Sequence, residues 1–470
     1  MINKINFSSS RLLIICSFFL LSRIFLTFLY QAPGSDTRLY GQYAFENREA
    51  SRTNTTIYEY HEGVIEYPPL AIMSMSFPML FVQDRSNELT QDTFYSWKRF
   101  YSYFCFAFDA TIFWTILLLL FGSVNRLKVS IKGLAFYLIS GLLLFNFLYD
   151  RLDFYLGGII FFAFLLLMSR KHWMFTFTLL AVGINFKLIP ILLVPLFLIG
   201  SLPVKYIGCF YKDLFNWKLV QEVLIRSIFL IAVTVLLFLP FYFWGGKHTL
   251  DFLTYHSDRG LQLESTYSSI LMMLNYVGFP VYVTHEFGAF NLESSFALVF
   301  SKVSTLLVFL SVSGILFLFI KRVKDHATKP EEKDSPNSDQ ITLAQYLPQT
   351  FLCLTIATLL ASIAASKVFS PQYLLWVVPL FGLVSYQDKS IKIAGCLFLL
   401  VCLLTALIYP YTYFTDFVHN VQELADGRVV WEAPTMFAAN LLFLRNLLLI
   451  GTIVMLCNKS SNRIIKYQSK

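Results

Sequence analysis

Residues 100–122 read FYSYFCFAFDATIFWTILLLLFG, a run of twenty-three positions with a single charge, Asp109. At ~1.5 Å of rise per residue, a helix of this length spans the ~30 Å hydrocarbon core of a bilayer. Runs of similar length recur along the chain without the 3.6-residue amphipathic spacing of a soluble helix. Composition agrees: 56% of the 470 residues are hydrophobic, 14% are charged, and mean hydropathy is +0.61. A soluble chain of this size needs more surface charge, so the expectation is an all-α polytopic membrane protein. The 49 Phe and 26 Tyr suit lipid contact and interfacial belts and identify no ligand.

Working outward from that run, hydropathy and the positive-inside rule give about twelve spans, with both termini in the cytosol. The first is 11–30, held by Lys4 and Arg11, and the second is 100–122. The third, 134–149, emerges at Asp150, and the fourth returns from Asp153 to Arg170 and Lys171. Then come 173–186, a short span from Pro190 to Leu202, 223–244, 296–320 and 346–365. Asp388, Lys389 and Lys392 divide the tenth from the eleventh, and the twelfth ends before Lys459, Arg463 and Lys466. The apolar stretch 68–82 is short, and a crossing there would put Arg126, Lys128 and Lys132 outside. Pro68 and Pro69 are therefore expected to open an interfacial or re-entrant helix.

Three loops then fall outside the membrane: 31–99, 246–295 and 410–436. In the second, the Tyr-rich stretch up to Val283 reads as another half-buried helix. Residues 323–343 are polar and aperiodic and read as a disordered cytosolic linker. The seven cysteines lie in apolar runs or cytosolic loops without metal-ligand spacing. The net charge of +8 has no basic cluster interleaved with aromatics, so it is assigned to anionic lipid and topology, with no nucleic acid as partner. The first run lacks a small-residue cleavage site and reads as a retained helix.

Asp36, Glu66, Asp150, Arg151, Asp153, Lys187, His256, Asp258, Arg259, Glu264 and Lys367 all fall on the outer face in this topology. A carboxylate at a partly desolvated interface with cations nearby is tuned to take a proton from an attacking hydroxyl. Lys187, Arg151, Arg259 and Lys367 suit the opposite task, holding an anionic phosphate as it leaves. Plainer readings stand beside these. Asp36 also fits the N-cap of an interfacial helix, Arg151 and Asp153 a simple pair at a helix end, Asp109 a structural support below the water boundary, and His256 a polar loop residue. Asn54-Thr55-Thr56 is a glycosylation sequon where the host uses them. No Gly-rich phosphate loop or Asp-x-Asp pair stands out, so a donor would come from the lipid phase.

Several motifs in order resemble a known group. Asp36 after the first span is followed by Tyr67-Pro68-Pro69-Leu70, Arg151-Leu152-Asp153 and Phe186-Lys187-Leu188-Ile189-Pro190 with Pro195. Ser370-Pro371-Gln372-Tyr373-Leu374-Leu375-Trp376 with Pro379 completes the set. The series, spread from Asp36 to Pro379, resembles polyprenyl-phosphate-sugar-dependent transferases of the GT-C superfamily. It is most similar to family 87-like mannosyl- and arabinofuranosyltransferases and, more loosely, to GPI mannosyltransferase I; His256 to Ser265 resembles a bacterial subgroup. The resemblance implies an inverting transfer at the outer face of a bacterial inner membrane, from a polyprenyl monophosphate sugar to a lipid or glycan acceptor, with Asp36 as base. Some relatives carry a second acid in that motif, whereas here the neighbours are Ser35 and Thr37, which leaves a divalent metal open.

The expectation is thus a GT-C-type glycosyltransferase that needs no further cofactor. Asp36 takes the proton, and Lys187, Arg259, Arg151 and Lys367 hold the donor phosphate. Glu66, Tyr67, Asp153, His256, Asp258, Glu264, Gln372 and Tyr373 position the substrates. A transporter or flippase of lipid-linked sugars would explain the spans equally but calls for inverted repeats with broken helices, and none is visible in the sequence. A ligase or polymerase of lipid-linked oligosaccharides is the rival among enzymes.

Overall fold

The computed structural model describes residues 9–29, 34–84, 86–122, 127, 129–169, 173–204, 206, 217–327, 341–423 and 428–458. The chain is 76% helical, a helical membrane protein. Among the described residues, six helices are long and apolar enough to cross a bilayer: Gln91–Phe121, Trp217–Asp258, Ala297–Asp325, Pro348–Ala365, Lys389–Phe417 and Met436–Leu456. Pro348–Ala365 is the most enclosed, with 78% of its apolar window buried, against 11% for Trp217–Asp258, which puts the first at the centre and the second at the edge.

The segment 31–99 is expected as an outer loop carrying interfacial helices, one of them opened by Pro68 and Pro69, and it is helical over much of its length. It holds the helices Ser35–Arg52, Ile57–Tyr60 and Pro69–Ser76, the last continuing as a 3₁₀ turn over Phe77–Phe81. Pro69 sits in the first turn of its helix, where a missing N–H costs nothing. The next helix begins at Gln91 rather than Phe100, because the Thr90 hydroxyl accepts from the Thr93 N–H and so caps it. Phe94, Trp97, Lys98 and Tyr101, three and four residues apart, form its buried face there.

Asp109 is fully buried farther along this helix. The Arg23 guanidinium pairs with it at 2.9 Å, the Tyr149 hydroxyl donates to it at 2.7 Å, and Tyr137 donates as well. A charge removed from water persists only with such partners, and these tie together the Ser9–Ile24, Gln91–Phe121 and Ile131–Leu143 helices.

Among the shorter helices, Asp153–Met168 and Trp173–Phe186 follow each other, and 189–200 begins with a 3₁₀ turn at Pro190. Gly157, one turn into Asp153–Met168, lies against the Leu375 carbonyl, and any Cβ there would clash with it. That approach seats the Pro371–Trp376 turn directly on the helix that starts at Asp153.

Two expectations change. The all-α reading misses a four-stranded antiparallel sheet of order β2-β1-β4-β3, built from Tyr282–Glu286 (β1), Ala289–Glu293 (β2), Val421–Glu423 (β3) and Val429–Trp431 (β4). The half-buried helix covers only Thr266–Asn275; after Gly278 and Pro280 the chain turns extended, and Phe287 and Gly288, both at positive φ, close a two-residue hairpin. Val283 pairs with Trp431, which joins the segments 246–295 and 410–436. The second change is in 323–343, which begins inside a helix that runs to Ala327 and ends in the Thr342-capped helix Leu343–Tyr346. Residues 328–340, the core of the expected linker, lie outside the described residues, as do Lys4, Arg126, Lys128, Arg170, Lys171, Cys209 and the tail Lys459, Arg463 and Lys466.

Candidate active site

Segments far apart in sequence close around one cavity of about 710 Å³. That volume lies within the ~300–1,000 Å³ range of pockets that enclose small molecules. Of the thirteen residues picked from sequence, eleven line it: Asp36, Glu66, Tyr67, Arg151, Lys187, His256, Arg259, Glu264, Lys367, Gln372 and Tyr373. Asp153 and Asp258 do not.

Asp36 lies in the first turn of Ser35–Arg52, where the helix dipole favours a carboxylate. The N-cap position itself belongs to Gly34, which has no capping side chain. The Asp36 carboxylate contacts the Arg151 guanidinium, and the Gln372 amide donates to it at 3.4 Å. Its side chain keeps 27% of its surface exposed whereas that of Arg151 keeps 5%, so the carboxylate is the member of the pair that a ligand reaches. Burial pulls the Arg151 pKa below its ordinary value, against the pull of Tyr409, Asp153 and Glu264.

Lys187 is held on three sides. Asp153, buried beneath the cavity, accepts from its ammonium at 2.7 Å, and the rings of Tyr373 and Trp376 lie 4.8 Å and 5.6 Å away. Trp376 donates its indole N–H to the same Asp153 oxygen at 2.6 Å. Asp153 therefore aims Lys187 from below, where the sequence reading has it touching substrate. The reason is geometric: Gly157 admits the Pro371–Trp376 turn, whose Trp376 covers the carboxylate.

Across the cavity, Lys367 donates to the Ser257 carbonyl at 2.8 Å. Burial lowers its pKa, Arg259 adds to the effect, and Asp258 opposes it. Asp258 is exposed and outside the cavity lining, because it ends the short helix Asp251–Asp258 with its side chain toward solvent. It acts on Lys367 only through charge. The Glu66 carboxylate meets the Tyr255 hydroxyl, which also donates to the Phe287 carbonyl of the hairpin at 2.5 Å. Tyr67 shares a 3.3 Å hydroxyl contact with the buried Tyr40.

Glu264 is buried with one oxygen 3.2 Å from Arg445, whose guanidinium also donates to the Glu264 carbonyl and lies 3.9 Å over the Phe369 ring. Burial raises the Glu264 pKa to about 7, with Arg445 and Arg151 pulling it down. Arg445 went unselected in the sequence reading, although it is the single charge inside Met436–Leu456. An ionisable residue in an apolar span is itself a signal of function. Asp150, Lys98, Trp376 and Tyr409 are the other supporting residues that sequence reasoning left out of the site.

Among the described residues, no group of three or more His, Cys, Asp or Glu is arranged to hold a metal ion. No family model, curated protein or solved structure matches this chain.

Proposed function

We propose that this protein is an inverting membrane glycosyltransferase that moves one sugar from a polyprenyl-phosphate carrier to a lipid or glycan hydroxyl. Asp36 removes the acceptor proton as its oxygen attacks the anomeric carbon. The bond from that carbon to the phosphate oxygen breaks, and the polyprenyl phosphate leaves with its charge met by Lys187, Arg259, Lys367 and Arg151. Glu66, Glu264, Tyr67, His256, Gln372 and Tyr373 orient the sugar and acceptor hydroxyls. The observation that carries this reading is a single cavity with a ligand-accessible carboxylate on one segment and four cations on others. Fixed cations around a site of developing negative charge are what phosphate departure needs.

The reading places the protein in a bacterial inner membrane with the cavity on the extracytoplasmic face. Twelve crossings follow if the six long helices are joined by six of the seven shorter ones, leaving Pro69–Phe81 as the helix that does not cross. With the N-terminus in the cytosol, that count puts Asp36, Arg151, Lys187, His256 to Glu264, Lys367 to Tyr373 and Tyr409 on one side. That these same segments line one cavity supports the count.

The test is transfer by the purified protein in nanodiscs supplied with a panel of polyprenyl-phosphate sugars and membrane-extracted acceptors. The expected result is release of polyprenyl phosphate and a product of inverted anomeric configuration. A retained configuration, or turnover only with nucleotide sugars, would contradict it.

A further inference from the structure

The turn before Asp153 carries a carboxylate, Asp150, that touches both the start of the Asp36 helix and the Arg151 that pairs with Asp36. Its Oδ2 accepts the Gly34 N–H at 3.2 Å and lies 3.6 Å from the Arg151 Nε. Its Oδ1 pairs with Lys98 at 3.0 Å. Its carbonyl accepts from the Thr37 hydroxyl at 2.8 Å. Lys98 also donates to the Tyr149 carbonyl at 2.9 Å. Asp150, Arg151, Lys98 and Thr37 are all buried.

The Gly34 N–H is among the four that open the Ser35–Arg52 helix without an internal partner, and Gly34 brings no capping side chain. A carboxylate 116 residues away in sequence supplies that cap. The approach is tight: a Cβ on Gly34 would sit 2.7 Å from Asp150 Oδ2 and 3.0 Å from Arg151 Nη2. The charges are also apportioned. Arg151 faces two carboxylates, Asp36 and Asp150, and Lys98 neutralises the second, so the guanidinium stays committed to the first.

We propose that Asp150, backed by Lys98, is the positioning residue that seats the first turn of the Asp36 helix and fixes Arg151 on the Asp36 carboxylate. It touches no substrate. The inference rests on the transferase reading for its kinetic arm alone.

The experiment uses the full chain in nanodiscs with Asp150→Asn, with Lys98→Met/Asp150→Asn to remove the unpaired lysine, and with Gly34→Ala, which keeps every charge but crowds the seat. Hydrogen exchange of the 34–40 amides is expected to rise at least about tenfold in each, with Met436–Leu456 unchanged as the folding control. Transfer is expected to fall about 10²-fold in kcat, the scale of a small misplacement of a reacting group. The acid limb of kcat should move to higher pH as Arg151 loosens from Asp36; Arg151 and Gln372 are among the groups facing Asp36, and Lys98, Arg151 and the Gly34 N–H face Asp150. Wild-type exchange at 34–40 in folded Asp150→Asn and Gly34→Ala proteins, or a wild-type acid limb with wild-type kcat, overturns the proposal. Absence of transfer by the wild-type protein would remove the transferase reading instead, while the exchange arm still decides for Asp150.

Discussion

At the scale of single residues, the cavity pairs groups whose environments pull them away from their ordinary chemistry. Glu264 is the clearest case, buried against Arg445 with a pKa raised to about 7 from 4.5. A carboxyl raised on folding contributes stability that is complete below pH 4.5 and is lost as pH rises through about 7. The loss is bounded by ~3 kcal/mol, at 1.36 kcal/mol per pKa unit. The thermal midpoint of the nanodisc-embedded protein is therefore expected to fall between pH 5 and pH 7.5. Glu264→Gln, which stays neutral, should flatten that slope. An unchanged slope in the variant would assign the pH dependence to other groups. Asp36 is readable from sequence as a carboxylate beside an apolar run, but its partners are not. Gln372 lies 336 residues away, and Glu264 meets Arg445 across 181. Local patterns carry no information about pairings at such separations.

At the scale of elements, what sequence makes legible is whatever the bilayer itself dictates. Trp173–Phe186 matches its expected bounds because hydropathy alone sets them. The Gln91 start of the next-loop helix does not, because polar capping and packing against 31–99 extend it beyond the apolar run. The four-stranded sheet is not legible for a similar reason, since its strands are three to five residues long and its two hairpins are joined by the Val283–Trp431 pairing across more than a hundred positions. Close approach can be tested directly. Gly157→Ala should lower the thermal midpoint by the equivalent of ~1–3 kcal/mol, since its Cβ would meet the Leu375 carbonyl. Gly314→Ala, which meets nothing within 4 Å on the Ala297–Ala327 helix, should be neutral or mildly stabilising. Equal effects from the two would refute the packing argument. Asp109→Asn leaves Arg23 buried without a countercharge and is expected to cost ~3–5 kcal/mol, while Arg23→Met/Asp109→Leu recovers most of it. A double variant less stable than Asp109→Asn would show that the pair does more than neutralise itself.

At the scale of the whole molecule, the helices act as a frame that carries short polar segments to one place. Among the described residues, six long apolar helices and the shorter ones between them bring Asp36, Arg151, Lys187 and the 255–264, 366–373 and 409–414 segments to a shared cavity. The division of labour is: a carboxylate open to ligand, cations opposite, and a buried layer of Asp150, Lys98, Asp153, Trp376 and Arg445 that holds them. The most direct measurement compares sugar transfer from polyprenyl phosphate by wild-type and Asp36→Asn proteins matched for thermal midpoint in nanodiscs. The account predicts loss of at least about 10³-fold in kcat with donor binding retained, on the scale of losing a general base together with its positioning; near-normal turnover by Asp36→Asn would contradict it.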